Sequence, residues 1–162
     1  MDDRSKLPES LSFAEKIPAF HGLSPSQIRQ LLQKTSVQEI PSGRVLCSQG
    51  ETSDSLYILL SGEVSVQMDH VELTRMHSVD MIGEMGVLTD RPRCATVQTT
   101  EPSRLLVISR ESLQVSFELD DEVRSLMYRN VLDSVAEKLR ESNLHLVENL
   151  SGVHVKFVVS SI

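Results

Sequence analysis

The hydrophobic positions follow different spacings in three parts of the chain. Over residues 10–35 and again over residues 110–148 they recur every three or four residues, which is the spacing of an amphipathic helix. Residues 36–109 hold short β-branched runs separated by turn residues, which is typical of strands. We therefore predict one α+β domain over residues 10–148, with the strand-rich part in the middle. The spacing assigns no structure to the tail at residues 149–162.

Two short helices are predicted in the first part. Ser12 and Glu15 form a capping box for the first helix. For the second helix, Ser24 is the predicted N-cap, Pro25 occupies the first helical position, and Gln27 follows three residues after the cap. The predicted buried face of the second helix comprises Ile28, Leu31 and Leu32. Because helices this short are marginal on their own, we expect both to pack on the strands.

The middle part contains a series of apolar runs: SVQEI, RVLCSQ, SLYILLSGEVSVQM, VELTRM, ATVQTT and RLLVIS. The turn residues between them are Pro41-Ser42-Gly43, Gly50-Glu51, Ser61-Gly62 and Asp69-His70. In GEVSVQM, the apolar Val64, Val66 and Met68 alternate with Ser65 and Gln67, which predicts a half-buried antiparallel strand. Many short strands at this turn spacing predict a β-sandwich, a jelly roll or a barrel.

The third part predicts a short helix followed by a long one. Ser109 begins the short helix, and Asp120 and Asp121 can cap the long one. The long helix carries an apolar stripe made of Val123, Met127, Val131, Leu132, Val135 and Leu139. Acidic residues at its start, with Lys138 and Arg140 near its end, suit the helix macrodipole. Such a wide stripe needs a partner, which can be the β-domain, a second copy of the chain, or both.

Composition and charge narrow the class of function. The formal charge of −7 argues against a direct nucleic-acid binder, which needs a basic face, and against binding to an anionic membrane surface. No apolar run approaches the ~18 residues of a membrane span, and the polar N-terminus does not resemble a targeting signal, so we expect a cytoplasmic protein. Cys47 and Cys94 lack a Cys-x-x-Cys spacing and are expected to be reduced thiols.

The motifs give no support to catalytic or metal chemistry. The five histidines share no spacing typical of metal ligands. The sequence shows neither a Walker loop nor a nucleophile–base pair. We therefore expect a protein that is not an enzyme and that needs no metal.

The stretch MIGEMGVLTDRPRCATV concentrates residues suited to a phosphate and a sugar. Gly83 allows a sharp turn and close approach of a ligand, and a helical turn over Glu84–Leu88 would offer free N–H groups to an anion. The carboxylate of Glu84 can only accept hydrogen bonds, so it suits hydroxyl groups. Arg93 is a permanent planar donor matched to phosphate oxygens. Together they indicate a nucleotide monophosphate site, although Glu84 as a simple helix cap and Arg93 as a surface ion-pair residue stay open as alternatives.

The same stretch resembles the phosphate-binding cassette of the cyclic nucleotide-binding domain family. The family pattern is roughly Phe-Gly-Glu-Leu-Ala-Leu-Leu, a few variable residues, then Pro-Arg-small-Ala-Thr-Val. The resemblance extends to FHGLSPSQIRQLL, which is similar to the family's entry helices, and to IPSGRVLCSQGETSDSLYILLSGEVSV, which is similar to its β-roll core. It covers about residues 13–140. It implies a β-roll or jelly roll of about eight antiparallel strands, flanked by N-terminal helices and a long C-terminal helix that serves as lid or dimer contact.

The resemblance also implies a set of ligand-binding residues: Gly83, Glu84, Met85, Arg93, Cys94 and Ala95. The backbone of the first three would meet the cyclic phosphate, and Glu84 would accept the ribose 2′-hydroxyl. Arg93 would pair with the charged exocyclic oxygen, and the amides of the last two would complete the phosphate shell. The possible lid residues over the base, all in the C-terminal helix, are Met127, Tyr128 and Val131.

A few positions depart from the family pattern. Family members often have a glycine just before the cassette, where this chain has Val79 or Asp80, and an aromatic residue where it has Ile82. Position 94 often holds alanine in cAMP-selective members and threonine in many cGMP-selective ones, whereas here it is Cys94. Because a thiol is a poor hydrogen-bond donor, the sequence favours cAMP over cGMP.

The resemblance implies a cyclic nucleotide sensor in which ligand capture moves the C-terminal helix and changes a partner surface. About 20 residues follow Asn143, too few for the helix-turn-helix domain of the catabolite-activator branch. We expect the output to be a separate effector protein or a homodimer formed through the C-terminal helix. Two alternatives stay open: a regulatory part of a larger transcription regulator or effector, and a degenerate β-roll interaction domain that binds no nucleotide.

Overall fold

The structure of the chain is a computed structural model whose described residues are 14–150, with side chains through residue 147. Within this range, a 3-10 turn at Pro18–Phe20 and helix α1 at Pro25–Leu32 precede the strands. The predicted capping box at Ser12 lies outside the described residues.

Helix α1 begins as the sequence predicts. Ser24 Oγ accepts a hydrogen bond from the Gln27 amide at 3.3 Å, and Gln27 Oε1 accepts one from the Ser24 amide at 2.8 Å. Pro25 occupies the first helical position, where a missing N–H leaves no intrahelical bond unmade. The buried side chains are the predicted ones, Ile28, Leu31 and Leu32. The capping box and the buried face of α1 are therefore confirmed.

The strands of the described chain lie in or beside the predicted apolar runs, with one exception. They are β1 Ser36–Ile40, β2 Val45–Cys47, β3 Ser55–Ser61, β4 Val64–Met68, β5 Val71–Met76, β6 Met81–Ile82, β7 Thr96–Thr99 and β8 Ser103–Ser109. They pair into two four-stranded antiparallel sheets, in the orders β1-β8-β3-β6 and β2-β7-β4-β5. The exception is β6, whose two residues are too few to show an alternating pattern. The predicted fold class, a β-roll of antiparallel strands with flanking helices, is confirmed.

Both sheets contribute to one hydrophobic core. A central cluster of buried residues draws on each sheet: Cys47, Leu59, Val64, Ile82, Val97 and Leu105. Aromatic residues make up only 4% of the sequence, so aliphatic side chains dominate this packing. Because Ile82 and Val97 belong to the cluster, the stretch between them is anchored in the core at both ends.

Strand β4 departs from its predicted burial pattern. Val64 and Ser65 are both buried, Val66 is partly buried, and Met68 is exposed. The antiparallel pairing is confirmed, but the strict alternation of buried and exposed residues is wrong. A register shift against β5 lies between Val66 and Gln67, so the end of the strand at Met68 faces a different direction from its start. The buried hydroxyl of Ser65 is satisfied, since it donates to a carboxylate of β5 at 2.7 Å.

The helices after α1 are α2 Glu84–Thr89, α3 Arg110–Leu119 and α4 Asp121–Leu150. Ser109 Oγ accepts a hydrogen bond from the Ser112 amide at 3.1 Å, at the start of α3. Asp120 Oδ1 accepts from the amides of Glu122 and Val123 at 2.9 and 3.0 Å, at the start of α4. The predicted caps at Ser109 and Asp120 are therefore confirmed.

One prediction about α4 is wrong. The sequence places Lys138 and Arg140 near the end of this helix, but α4 continues to Leu150 and its last turn contains no basic residue. Residues 141–150 contain no glycine or proline that would stop the helix earlier. The favourable charge arrangement is therefore confined to the first turn, where Asp121 and its acidic neighbour lie.

The chain divides into two compact units, and the division falls within α4, after Val131. In the first unit, Val123, Met127 and Val131 are buried, as the apolar stripe predicts. In the second unit, Leu132 and Leu139 are exposed by 68% and 60%. The predicted stripe is therefore partly core and partly open surface.

Candidate functional site

Gly83 joins β6 to α2 with a left-handed backbone, at a φ of +81°. A Cβ at this position would overlap the guanidinium of Arg93 and would lie 3.3 Å from the main-chain oxygen of Ser55. Glycine is therefore required both for the backbone angle and for lack of space. The predicted turn and short helix are confirmed, and α2 has only six residues. We call residues 81–97 the cassette; its backbone at Gly83 lies directly against Arg93.

Arg93 is the buried cation of the cassette, with 5% of its surface exposed. Its Nη1 donates to the Gly83 carbonyl at 3.1 Å, and its Nη2 donates to the Ser55 carbonyl at 2.5 Å. The guanidinium carbon lies 5.6 Å from the centroid of the Tyr57 ring, a cation–π distance. Its Nε is buried and has no hydrogen-bond partner among the described residues. Main-chain oxygens and an aromatic face thus hold the guanidinium in place.

No carboxylate of the described residues neutralises Arg93, since none of their ion pairs includes it. A buried charge without a counter-ion is costly, so buried cations usually pair with acids or bind anions. The alternative interpretation of Arg93 as a surface ion-pair residue is therefore wrong. The charge is left available to an anion that reaches the cassette.

Two neighbouring groups respond to the Arg93 charge. Burial raises the pKa of the Cys47 thiol above its ordinary value of 9.0, and the Arg93 charge offsets part of that rise. Burial also raises the pKa of the Tyr57 hydroxyl, and Arg93 again acts in the opposite direction. Both groups therefore stay uncharged at neutral pH, and neither supplies a negative charge to Arg93.

The other predicted ligand-binding residues differ in exposure. Glu84, the first residue of α2, is buried, with 5% of its surface exposed. Met85 is half exposed, the Cys94 residue is exposed, and Ala95 is buried. The fold brings Gly83 and Arg93 together, and these four residues lie next to them in the chain. Their roles toward a ligand stay predictions.

The possible lid residues lie in the first unit, near the start of α4. Met127 and Val131 are buried in the domain, whereas Tyr128 is 46% exposed. The Tyr128 ring packs on Phe117 of α3, with 5.5 Å between ring centroids. A small cavity of about 140 Å³ adjoins this pair; its lining is Val87, Leu88, Asp90, Arg110, Leu113, Gln114, Phe117 and Tyr128. None of the six predicted ligand-binding residues lines this cavity, so the lid assignment stays a prediction.

Sequence reasoning missed three residues that contact the cassette. Ser55 and Tyr57 on β3 meet Arg93, but a main-chain carbonyl has no sequence signature and nothing local marks a distant aromatic ring. Arg110, the first residue of α3, donates from Nη2 to the Gly86 carbonyl at 2.9 Å. Its position directly after the Ser109 cap is the only signal in the sequence, and it does not indicate this contact.

The departure from the family pattern before the cassette has a structural consequence. Val79 has a φ of +70°, in the left-handed region that β-branched residues strongly avoid. Its amide donates to the Leu59 carbonyl at 2.7 Å, and the Leu59 amide donates to the Asp80 carbonyl at 3.0 Å. These two bonds to β3 hold the strained turn in place at the entry to β6.

Two further observations concern the described part of the chain alone. Within it, no cluster of three or more His, Cys, Asp or Glu side chains is placed to hold a metal ion. Within the same residues, no helix has both the length and the apolar character to cross a membrane.

Comparisons with known proteins identify the family of the chain. The family model of the cyclic nucleotide-binding domain matches residues 37–118. The chain is 29% identical over 134 residues to a CRP-like cAMP-activated global transcriptional regulator of Mycobacterium tuberculosis, covering 80% of this chain and 58% of that protein. It is 27% identical over 136 residues to a cGMP-dependent protein kinase of Eimeria tenella, covering 84% of this chain and 13% of the kinase.

A solved structure shows the same fold. The crystal structure of a cyclic nucleotide-binding domain from Methylobacillus flagellatus KT superposes with a TM-score of 0.79 at 22% identity, covering 96% of this chain and 88% of that one. The chain spans only part of the length of the two curated relatives, 58% of the regulator and 13% of the kinase. With the family match over half of its residues, the chain belongs to the cyclic nucleotide-binding domain family.

Proposed function

We propose that this domain is a cyclic nucleotide sensor that acts by binding and carries out no catalytic step. Membership of the family indicates a cyclic nucleotide as the class of ligand. The observation that carries the proposal is the buried Arg93, which holds the Gly83 carbonyl and has no carboxylate partner in the described chain. A cyclic phosphate carries the single negative charge that this arrangement lacks, and a guanidinium suits its oxygens.

The proposed roles are those that the resemblance to the family implies. The amides near Gly83 and Met85 meet the phosphate, Arg93 pairs with its exocyclic oxygen, and the amides of Cys94 and Ala95 complete the shell. Glu84 accepts the ribose 2′-hydroxyl, a role supported by its place in the first turn of α2. The Nε of Arg93, which has no hydrogen-bond partner among residues 14–150, gains an acceptor when the phosphate is bound. The base then lies toward α4, with Met127, Tyr128 and Val131 as lid residues.

We propose cAMP as the preferred nucleotide. The two relatives named above are called cAMP-activated and cGMP-dependent, so similarity alone favours neither nucleotide. Cys94 is exposed and offers only a weak S–H donor, whereas the resemblance places the hydroxyl of a threonine at this position in many cGMP-selective members. Replacing Cys94 by threonine is expected to raise the affinity for cGMP relative to cAMP, and replacing it by alanine is expected to leave the preference for cAMP.

The output of binding is a change in the C-terminal helices. The ligand stabilises whichever arrangement of α3 and α4 it contacts better. The population of conformations then shifts, and the surface that a partner binds changes with it. We propose either a separate effector protein in the cytoplasm or a second copy of the chain as that partner. Light scattering of the purified chain, with and without cAMP, distinguishes a dimer from a monomer.

Calorimetric titration of the nucleotide-free chain with cAMP, cGMP and 5′-AMP tests the proposal. We expect about one site per chain, with cAMP bound more tightly than cGMP, and 5′-AMP bound weakly because it lacks the cyclic phosphate. Arg93→Ala should weaken cAMP binding by ~30-fold or more, since losing a buried charged partner costs ~2–5 kcal/mol. The matched control is Arg75→Ala, because Arg75 is a surface residue of β5 paired with Glu63 and Glu72, each at 2.9 Å. Undiminished affinity in Arg93→Ala would overturn the site, and no heat with any nucleotide would indicate a degenerate domain.

A further inference from the structure

Arg110 joins the cassette to the helices that follow the β-roll. Its Nη2 donates to the Gly86 carbonyl of α2 at 2.9 Å and to the Ser53 carbonyl at 2.6 Å. Its Nη1 forms an ion pair with Asp90, the residue directly after α2. Its own amide donates to the Asp54 carbonyl at 2.8 Å. One residue at the start of α3 therefore holds the middle of α2, the end of α2 and the loop before β3.

The contacts to main-chain oxygens are the important part of this junction. The Arg110 side chain is 21% exposed, whereas the Asp90 side chain is 86% exposed. An ion pair with so exposed a partner is screened by water and contributes little. A charged donor shared between two carbonyls in a partly buried position is stronger and more directional. The forked shape of the guanidinium, which lysine lacks, lets Nη2 reach both carbonyls while Nη1 faces Asp90.

Helix α2 is too short and too tightly packed to move without also moving its contact with Arg110. It is six residues long, so it spans only ~9 Å at 1.5 Å per residue. Its Gly86 packs tightly on Ser53, because a Cβ at Gly86 would overlap the Ser53 hydroxyl and lie 2.8 Å from the Arg91 carbonyl. Glu84 and Met85, which are proposed to lie at the ligand, begin this same short helix. A displacement of α2 at its ligand end therefore carries the Gly86 carbonyl with it.

We infer that Arg110 is a positioning residue that transmits the position of the cassette helix α2 to α3 and, through it, to α4. This inference rests on the proposed function. Only Asp120 separates the end of α3 from the start of α4, so a shift of α3 passes directly to α4. A small cavity lined by Arg110, Leu88 and Phe117 also lies at this junction, between residues of α2 and α3.

The test measures two quantities in each variant. One is the affinity for cAMP, and the other is the change that cAMP causes in the amide hydrogen exchange of α3 and of residues 121–131. The variants are Arg110→Ala, Arg110→Lys, Asp90→Ala and the control Arg75→Ala, all in the full chain. In Arg110→Ala we expect cAMP affinity within about tenfold of the original, equivalent to ~1.4 kcal/mol. We also expect the exchange response of α3 and residues 121–131 to be lost in Arg110→Ala, while the cassette itself still responds to cAMP.

The other variants separate coupling from a loss of stability. Asp90→Ala keeps both carbonyl contacts and is expected to keep the exchange response, as is Arg75→Ala. Arg110→Lys keeps the charge without the fork, so a reduced response in a folded protein supports the inference even if Arg110→Ala does not fold. A full response of α3 in either Arg110 variant overturns the inference and leaves the proposed function standing. If the unsubstituted chain binds no nucleotide, the proposed function is overturned first, and the role of Arg110 with it.

Discussion

The guanidinium of Arg93 donates to the carbonyl of Gly83 at 3.1 Å, across ten positions of sequence. The contact is possible because Gly83 has no side chain, since a Cβ would occupy the place of the guanidinium. Glycine and arginine are therefore one feature of the site, in which the glycine leaves the space and the arginine fills it. The same backbone then turns into α2, so the position of Arg93 and the direction of α2 are set together.

Gly83→Ala is expected to weaken both the fold and ligand binding. A left-handed backbone costs a non-glycine residue roughly 1–2 kcal/mol, and the displaced Arg93 guanidinium adds to that loss. Urea denaturation should show a lower midpoint. Titration with cAMP should show a loss of affinity greater than the fraction of unfolded chain accounts for. The control is Gly43→Ala, because Gly43 has a similar φ of +80° with open space around its Cβ position. If both variants bind cAMP equally well, the contact between Gly83 and Arg93 does not shape the site.

Val79 allows a test of backbone strain at the entry to the cassette. At an ordinary strand position, a protein with glycine is less stable than the same protein with alanine by about 0.5–1 kcal/mol. At the φ of +70° of Val79 the order should reverse, because glycine adopts this angle without a clash. We therefore expect Val79→Gly to unfold at a higher urea concentration than Val79→Ala. The same pair at Val71, an exposed residue of β5, should show the ordinary order, with alanine the more stable. If the alanine variant is the more stable one at both positions, the backbone at Val79 is not strained.

Much of the fold could be predicted from the sequence, because the signals for these elements are local. The cap at Ser24, the turn residues between the strands and the short helix after Gly83 each depend on neighbours within a few positions. Strand β6 was not accessible, since two residues carry no periodicity. The position of the basic residues relative to the end of α4 was misjudged, because Lys138 and Arg140 do not stop a helix and α4 continues past them to Leu150.

The residues of the candidate site could be predicted from the sequence, but most of the contacts between them could not. The resemblance to the family named Gly83, Glu84 and Arg93, and the structure places the first and last in contact. The carbonyl of Ser55 and the contacts of Arg110 come from distant segments, and only the folded chain brings them together. The close packing of Gly86 on Ser53 is likewise a contact between distant segments that only the folded chain shows.

The buried thiol of Cys47 predicts a pH dependence of stability on the alkaline side. Burial raises the thiol pKa in the folded state above the ordinary 9.0, so the folded chain holds this proton more tightly than the unfolded chain. The contribution is fully present below the unfolded pKa and is lost as pH rises through the folded pKa. We expect Cys47→Val to lose less stability than the original chain between about pH 8 and about pH 10 in urea denaturation. Equal losses in the two proteins would contradict a raised pKa at Cys47.

Gly86→Ala should destabilise the chain, although alanine favours helices over glycine by ~1 kcal/mol. A Cβ at Gly86 would overlap the Ser53 hydroxyl, lie 2.5 Å from the Ser53 Cβ and lie 2.8 Å from the Arg91 carbonyl. Overpacking of this kind typically costs ~1–3 kcal/mol and outweighs the gain in propensity. The companion variant Ser53→Ala should be neutral or slightly stabilising, because the buried Ser53 hydroxyl has no hydrogen-bond partner among the described residues. Thermal and urea denaturation of both variants measure these changes. A higher unfolding midpoint for Gly86→Ala would mean that α2 can move away from Ser53, and the rigid junction at Arg110 would then lose its physical basis.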